Sequence, residues 1–105
     1  MIKVSYIEKN NIIEKISIKG HSGYDEFGKD IVCAAVSATV LNTLNNINII
    51  NEEVLNHSEK DGEVLIIVIK EINEKSIINR ILINLINELK EIEKNYSKYI
   101  DIRRC

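Results

Sequence analysis

Alternating apolar and polar residues at the start of the chain predict two β-strands. The first covers residues 2–7 and the second residues 12–19, with Asn10 and Asn11 as the turn that joins them. In the second strand Ile16 and Ile18 fall on one face, because successive side chains of a strand point to opposite sides. The chain is therefore expected to begin with a hairpin that buries one face.

Apolar residues at helical spacing predict two long helices farther along the chain. The first covers residues 30–47, begins at Asp30 as its N-cap, and has a buried stripe of Val36, Val40, Leu44 and Ile47. The second covers residues 74–94, and its stripe contains Ile78, Ile81, Leu82, Leu85, Ile86, Leu89 and Ile92. Each helix therefore has one apolar face that a sheet can cover.

A weaker pattern predicts a second hairpin between the two helices. Residues 53–60 and 64–69 are predicted strands, joined by Asp61 and Gly62, a pair typical of two-residue hairpin loops. The second of these strands is too apolar for either side to face water, and residues 99–103 alternate as a last strand. The order ββαββαβ, without a proline, predicts a single domain over residues 1–105. Its α+β fold would have a mixed or antiparallel sheet covered by two helices.

Composition and charge narrow the class of protein. The 105 residues carry a formal net charge of −2 and the pI is about 5.7, so no basic surface points to nucleic acid. No apolar run approaches the roughly 18 residues of a membrane span, and the start of the chain lacks the apolar core of a signal peptide. Two widely separated cysteines do not make a secreted disulfide framework. We therefore expect a cytoplasmic protein with no membrane partner and no direct nucleic-acid binding.

The candidate chemistry lies where a glycine-rich loop meets the first helix. Three of the four glycines fall between positions 20 and 28, and Cys33 follows in the first turn of the predicted helix. Unpaired N–H groups and the positive end of the helix dipole favour a thiolate at that position. The competing interpretation is an inert core cysteine, because its neighbours Val32 and Ala34 are apolar. Cys105 has no such setting and is expected to be a frayed terminal thiol.

A histidine on the same loop strengthens the reactive interpretation of the cysteine. His21 lies between Gly20 and Gly23, where the backbone can approach a ligand closely. An imidazole can take the proton of a thiol and return it to a leaving amine, as cysteine hydrolases require. The alternative is a solvated loop histidine, and His57, in a polar stretch without glycine, is interpreted as structural or exposed. No Cys or His pair has the spacing of metal ligands, so no metal or cofactor is expected.

Two blocks of sequence resemble a known family. Residues 20–24 (Gly-His-Ser-Gly-Tyr) and 28–37 (Gly-Lys-Asp-Ile-Val-Cys-Ala-Ala-Val-Ser) are similar, in content and separation, to the bacterial ribosomal-processing cysteine proteases called Prp. The resemblance implies a cytoplasmic endopeptidase that removes the N-terminal extension of a large-subunit ribosomal protein, the one numbered twenty-seven, before or during ribosome assembly. It also implies cleavage after an aromatic pair and a homodimer. By position, His21 and Cys33 are the catalytic pair.

The predicted chemistry is an attack of the Cys33 thiolate on the scissile carbonyl while His21 carries the proton. Backbone N–H groups at the start of the helix, that of Cys33 included, are expected to stabilise the tetrahedral oxyanion. Asp30 is expected to cap the helix, with orientation of His21 as its alternative role. Ser37 lies one turn after Cys33, so its hydroxyl either reaches the site or bonds back to the Cys33 carbonyl.

The loop over residues 22–28 is expected to take part in substrate binding. It holds two of the five aromatic residues, Tyr24 and Phe27, which can close over an apolar segment of substrate. Gly23 and the other loop glycines permit wide backbone freedom, and few apolar side chains anchor the stretch. We therefore expect the loop to be mobile without substrate.

Two other interpretations keep the same fold. In the first, the chain is a non-catalytic, ribosome-associated peptide-binding module whose glycine-rich loop docks a peptide and whose Cys33 belongs to the core. In the second, Cys33 and His21 serve a thiol hydrolase of small acyl substrates, which requires a closed pocket instead of an open groove. Reaction of Cys33 with iodoacetamide near neutral pH separates the binding module from an enzyme.

Overall fold

The computed structural model describes all 105 residues of the chain. The order ββαββαβ is the predicted one, and each element begins and ends within three residues of its predicted bounds. The elements are β1 (Ile2–Lys9), β2 (Ile12–Lys19), α1 (Ile31–Ile50), β3 (Leu55–Lys60), β4 (Glu63–Val68), α2 (Ile77–Asn95) and β5 (Ile100–Arg104).

The five strands form one mixed sheet in the order β3-β4-β2-β1-β5. Neighbouring strands are antiparallel except β1 and β5, which pair in parallel from Ile2 opposite Ile100 to Tyr6 opposite Arg104. Parallel neighbours need a crossover connection, which the segment containing α2 provides before the chain enters β5. The predicted α+β class, with a mixed sheet and two helices, is confirmed.

The core lies between the two helices and one face of the sheet. Helices α1 and α2 contact each other, and their apolar stripes share one cluster with the inward-facing strand residues. The cluster contains Ile2, Val4, Tyr6, Ile13, Ile16, Ile18, Val32, Val36, Val40, Ile47, Val54, Ile66, Ile78, Leu82, Leu85, Ile86, Leu89 and Ile100. Neither helix combines the length and the apolar character that crossing a bilayer requires.

Strand β4 departs from the prediction. Its Ile66 is buried, whereas Ile67 on the opposite face is 36% exposed and Leu65 is half-buried. Both helices cover the same face of the sheet, so the other face of β4 remains in water. The expectation that neither side of this strand meets water is therefore wrong.

Left-handed backbone shapes both hairpin turns. Asn10 and Asn11 have φ of 53° and 64°, and Asp61 and Gly62 have φ of 53° and 77°. Two consecutive residues with positive φ match the type I′ turn, whose twist suits a two-residue hairpin and which favours asparagine, aspartate and glycine. The second of these turns brings Gly62 beside the end of β2, at the edge of the candidate site described below.

A buried asparagine connects the first hairpin to α2. The Oδ1 of Asn79 accepts the backbone N–H of Ile13 at 2.9 Å, and its Nδ2 donates to the carbonyls of Asn11 and Glu74 at 2.8 and 3.1 Å. Asn79 is fully buried, so these bonds satisfy polar groups that cannot reach water. The bond to the Glu74 carbonyl holds the residues just before α2 against the first turn of that helix. Helix α2 begins at Ile77, whereas residue 74 was the predicted start.

Candidate active site

Gly20 ends β2 and directs the chain into the glycine-rich loop. Its φ is +94°, and a Cβ at this position would lie 2.7 Å from the backbone carbonyl oxygen of Met1. Its N–H donates to the Gly62 carbonyl at 3.1 Å, which fixes the end of β2 against the second hairpin. Only glycine fits this conformation and this space, and the result is that His21 leaves the sheet at a defined point.

Asp30 caps helix α1, as predicted. Its backbone is extended, and its Oδ1 accepts the N–H groups of Val32 and Cys33 at 3.0 and 2.9 Å. The Asp30 carbonyl accepts the N–H of Ala34 at 3.0 Å, which begins the helical ladder. No hydrogen bond joins Asp30 to His21, so the structure shows the capping role and not the alternative one.

The second carboxylate oxygen of Asp30 holds the loop. Oδ2 accepts the N–H groups of Tyr24 and Asp25 at 3.0 and 3.3 Å, and it also accepts the hydroxyl of Ser22. The Ser22 hydroxyl accepts the Tyr24 N–H at 3.2 Å as well. One buried carboxylate therefore ties the loop and the start of the helix together.

These bonds decide the ionisation of Asp30. Burial by itself raises the pKa of the carboxyl group, because the charged form loses solvent. Hydrogen bonds from the Ser22 side chain and from the backbone of Cys33, Asp25 and Tyr24 outweigh burial and lower the pKa from 3.8 to about 2. Asp30 is therefore a carboxylate at neutral pH.

Ser22 contacts the sulfur of Cys33 through both its backbone and its side chain. The Ser22 N–H donates to Sγ at 3.4 Å, and the Cys33 thiol donates to the Ser22 hydroxyl at 3.5 Å. Cys33 is half-buried, and Ser22 is only 3% exposed. The cysteine is therefore held at the edge of the core, where it borders both the apolar cluster and the loop.

The helix start does not supply the expected oxyanion donors. The N–H groups of Val32 and Cys33 both point to the Asp30 carboxylate, and that of Ala34 points to the Asp30 carbonyl. A donor already bonded to a buried carboxylate is not free to receive an oxyanion. The expectation that the Cys33 N–H stabilises the tetrahedral intermediate is corrected by this geometry.

A groove of about 510 Å³ brings most of the predicted site residues together. His21 and Cys33 both line it, and its floor includes the apolar side chains of Ile18 and Val36. The predicted residues that line the groove are Gly20, His21, Gly23, Phe27, Asp30, Cys33 and Ser37. Phe27 is fully exposed at its rim, which leaves the groove open to solvent on that side.

Tyr24 is the predicted site residue that the structure places elsewhere. Its ring lies edge-on against Tyr96 and Tyr99, with centroid separations of 5.7 and 5.1 Å, and it does not line the groove. Edge-on aromatic pairs are favourable, and the segment between α2 and β5 places two tyrosine rings within contact of Tyr24. The expected closure of Tyr24 over substrate is therefore not what this geometry supports.

The remaining predicted residues have few contacts of their own. The His21 side chain is exposed and makes no hydrogen bond to Cys33 or to any other group of the protein. Ser37 is exposed on the groove wall, and its hydroxyl does not bond to the Cys33 carbonyl. His57 is exposed on β3, and Cys105 is exposed at the chain end; neither lines this groove.

Ser22 is the residue of this site that the sequence analysis missed. A serine that bonds to the N–H two residues ahead forms a recognisable local turn, and the pair Ser22 and Tyr24 has that spacing. That pattern predicts a turn but says nothing about a cysteine eleven residues away.

Comparison with known proteins identifies the family. The model of the Cysteine protease Prp family matches residues 1–101. A ribosomal processing protease Prp from S. aureus, solved with a covalently linked product peptide, superposes with a TM-score of 0.89 at 25% identity over 100% of both chains. The same protease with a substrate peptide gives a TM-score of 0.84 at 25% identity, again over 100% of both chains. A Streptococcus mutans protein superposes with a TM-score of 0.77 at 25% identity, and the match covers 99% of this chain and 93% of that chain.

No significant match was found among curated protein sequences. The family match nevertheless covers both blocks of the sequence resemblance and nearly the whole chain. It also decides between the interpretations left open above, since the family is one of enzymes and not of non-catalytic binding modules. This chain belongs to the Prp family of cysteine proteases.

Proposed function

We propose that this protease removes the N-terminal extension of the large-subunit ribosomal protein numbered twenty-seven, with Cys33 as nucleophile and His21 as general acid and base. One observation carries the assignment of residues. His21 and Cys33 come from different elements yet line one open groove, in a chain that matches the Prp family over residues 1–101. The S. aureus relatives are ribosomal processing proteases, which supports a ribosomal protein as substrate.

The two side chains divide the chemistry between them. The imidazole of His21 takes the proton of the Cys33 thiol, and the resulting thiolate attacks the scissile carbonyl carbon. The imidazolium then gives that proton to the amine that leaves, which produces a thioester between Cys33 and the N-terminal fragment. Water, activated by His21, hydrolyses the thioester and restores the thiol.

The groove suits an apolar stretch before the scissile bond. Its lining includes Ile2, Ile18, Val36 and Val64, and Phe27 is exposed at the rim. Aromatic side chains bury a large area when they enter such a groove, which agrees with the cleavage after an aromatic pair that the sequence resemblance implies. Phe27 then covers the substrate from the solvent side, and its loss is expected to raise KM more than it lowers kcat.

The resemblance also implies a cytoplasmic homodimer, which belongs to the same proposal. Two exposed apolar side chains on helix α1 support a contact between two copies of the chain. Leu41 is 60% exposed and Ile49 is 84% exposed. Analytical ultracentrifugation of the purified protein measures the dimer directly. A Leu41→Lys, Ile49→Lys double variant should dissociate it if this helix face forms the interface.

The assay that tests the nucleophile uses the natural chain and a synthetic peptide. The peptide spans the N-terminal extension of ribosomal protein twenty-seven from the same genome, and mass spectrometry locates the cleaved bond. Cys33→Ala should abolish cleavage without unfolding the protein, since alanine suits an apolar helix and leaves only a small void. Cys105→Ala is the matched control and should cleave at the wild-type rate, because its thiol is exposed outside the groove.

The same assay separates the substrate classes. A protease acting in an open groove cleaves the peptide far faster than a small thioester, whereas a small-acyl hydrolase does the reverse. A folded Cys33→Ala protein that still cleaves the peptide would falsify the assignment of the nucleophile. Cleavage of unrelated peptides at the same rate would contradict the assigned substrate while leaving the nucleophile in place.

A further inference from the structure

We propose that the backbone N–H of Ser22 is the oxyanion donor of this protease, and that the Ser22 side chain is the positioning group that aims it. The proposal rests on the proposed role of Cys33 as the nucleophile. It assigns to the loop a function that the helix start was expected to perform.

The geometry favours Ser22 because the first-turn donors of α1 are occupied and the Ser22 N–H faces the sulfur. The first-turn N–H groups of Val32 and Cys33 end on the Asp30 carboxylate at 3.0 and 2.9 Å. The Ser22 N–H is the one backbone donor that points to the Cys33 sulfur, at 3.4 Å. Sulfur that has bonded to the carbonyl carbon is uncharged and a weak acceptor, so this donor can exchange its partner at little cost when a stronger acceptor appears.

The attack creates that stronger acceptor next to the sulfur. As the Cys33 thiolate forms a bond to the carbonyl carbon, the π electrons of the carbonyl move to its oxygen, and no group leaves in this step. The new oxyanion is bonded to the same carbon as the sulfur, so it lies within reach of a donor that was directed to the sulfur. The Ser22 N–H then bonds to the oxyanion, and this bond is strongest in the transition state. Collapse of the intermediate returns the electron pair to the carbonyl while the C–N bond breaks and His21 protonates the amine.

The Ser22 side chain holds its own backbone in place. Its hydroxyl donates to Asp30 Oδ2 and accepts the Tyr24 N–H at 3.2 Å and the Cys33 thiol at 3.5 Å. The residue is 3% exposed, so these bonds are made away from bulk water and restrict its movement. Asp30 in turn is anchored by the helix that it caps, which links the position of the donor to the position of the nucleophile.

The direct test removes the N–H and keeps the side chain. Incorporating glyceric acid in place of Ser22 replaces the amide by an ester in an otherwise unchanged chain. Removing one oxyanion donor lowers turnover by about 100-fold or more, so we expect kcat to fall by that factor with KM nearly unchanged. The matched control is an ester at Glu52, an exposed loop residue beyond the far end of α1 whose N–H makes no bond within the protein.

Alkylation separates an oxyanion role from an effect on the sulfur. Iodoacetamide reacts with Cys33 by displacement at carbon and forms no oxyanion, so the ester at Ser22 should leave the alkylation rate within about threefold of the wild type. An unchanged kcat overturns the proposal. A parallel loss of kcat and alkylation rate also overturns it, because the N–H would then act on the sulfur alone.

Substitution of the side chain provides a second, independent test should the ester protein fail to fold. Ser22→Ala keeps the N–H but loses the tie to Asp30, so kcat should fall roughly tenfold, with partial recovery in Ser22→Thr, which restores a hydroxyl. A folded Ser22→Ala protein with wild-type kcat overturns the proposal. Failure of the proposed function is distinguishable, since only then does Cys33→Ala still cleave the peptide.

Discussion

The backbone N–H of Ser22 donates a hydrogen bond to the sulfur of Cys33 at 3.4 Å, although eleven residues separate the two in sequence. Asp30 makes this contact possible, because one of its carboxylate oxygens accepts donors from the loop and the other accepts donors from the helix. The candidate nucleophile is therefore positioned by a loop and a helix that share one carboxylate. Changes to that carboxylate should affect stability and catalysis together.

Replacement of His21 tests the assigned general base. His21→Ala should lower kcat by about 10²- to 10⁴-fold, because proton transfer to and from the reacting groups is lost. His57→Ala is the matched control and should retain wild-type turnover, since His57 is exposed on β3 outside the groove. Initial rates on the ribosomal peptide measure both. Loss of activity in the His57 variant alone would mean that the wrong histidine has been assigned.

Replacement of Asp30 tests the shared carboxylate through acid stability. The pKa of Asp30 is lowered from 3.8 to about 2 in the folded chain, so the unfolded chain binds more protons between these values. The contribution of the Asp30 carboxylate to the free energy of unfolding is therefore fully present above pH 3.8. It is lost as the pH falls through about 2. Asp30→Asn should be less stable than the wild type at pH 7, because the new amide N–H₂ faces the donors from Ser22 and Tyr24.

Urea unfolding at a series of pH values measures this difference. The gap in free energy of unfolding between the wild type and Asp30→Asn should narrow as the pH falls from 3.8 to about 2. Asp61→Asn is the control, since Asp61 occupies an exposed hairpin turn that accepts asparagine, and its curve should run parallel to the wild type. A constant gap for Asp30→Asn would show that the carboxylate charge does not stabilise the fold.

Replacement of Gly20 tests how the histidine is placed. Gly20→Ala puts a Cβ 2.7 Å from the Met1 carbonyl oxygen in a residue whose φ is +94°. The backbone must shift, and the free energy of unfolding should fall by about 1–3 kcal/mol, with a further loss of kcat as His21 moves. Gly28→Ala is the matched control: its φ is +85°, but nothing lies within 4 Å of the added Cβ, so it should be less destabilised. Equal destabilisation of the two variants would exclude the steric contact as the cause.

The two halves of the loop should differ in mobility. Tyr24 and Asp25 donate their N–H groups to Asp30, whereas the N–H groups of Phe27 and Gly28 bond to nothing in the protein. We expect slow amide exchange at the first two residues and fast exchange at the last two, so the predicted mobility of the whole loop is narrowed to residues 27–28. The measurement is amide exchange by NMR on Cys33→Ala, with and without the substrate peptide. If Phe27 and Gly28 are equally protected in both states, the loop does not close over substrate.

Much of the fold was predictable because its causes are local. Alternation in β1 and β2, the helical stripe of α2, and the Asp61-Gly62 turn each act over a few neighbouring residues, and the structure contains all three. The capping role of Asp30 is equally local, since it depends on N–H groups two and three residues ahead. The exposure of Ile67 was missed because it depends on which face of the sheet both helices cover. The sequence of one strand contains no information about that face.

The sequence alone predicts the order of the elements, the helix start at Asp30, and a cysteine and a histidine beside a glycine-rich loop. Which donors face the sulfur depends on the tertiary fold. The carboxylate that caps α1 accepts the helix-start N–H groups, so those groups are not available to other acceptors. The same carboxylate also binds Ser22 and the loop backbone, and the Ser22 N–H is directed to Cys33. A hydrogen-bond donor can serve one strong acceptor at a time, and which acceptor it meets depends on how the loop folds back over the helix.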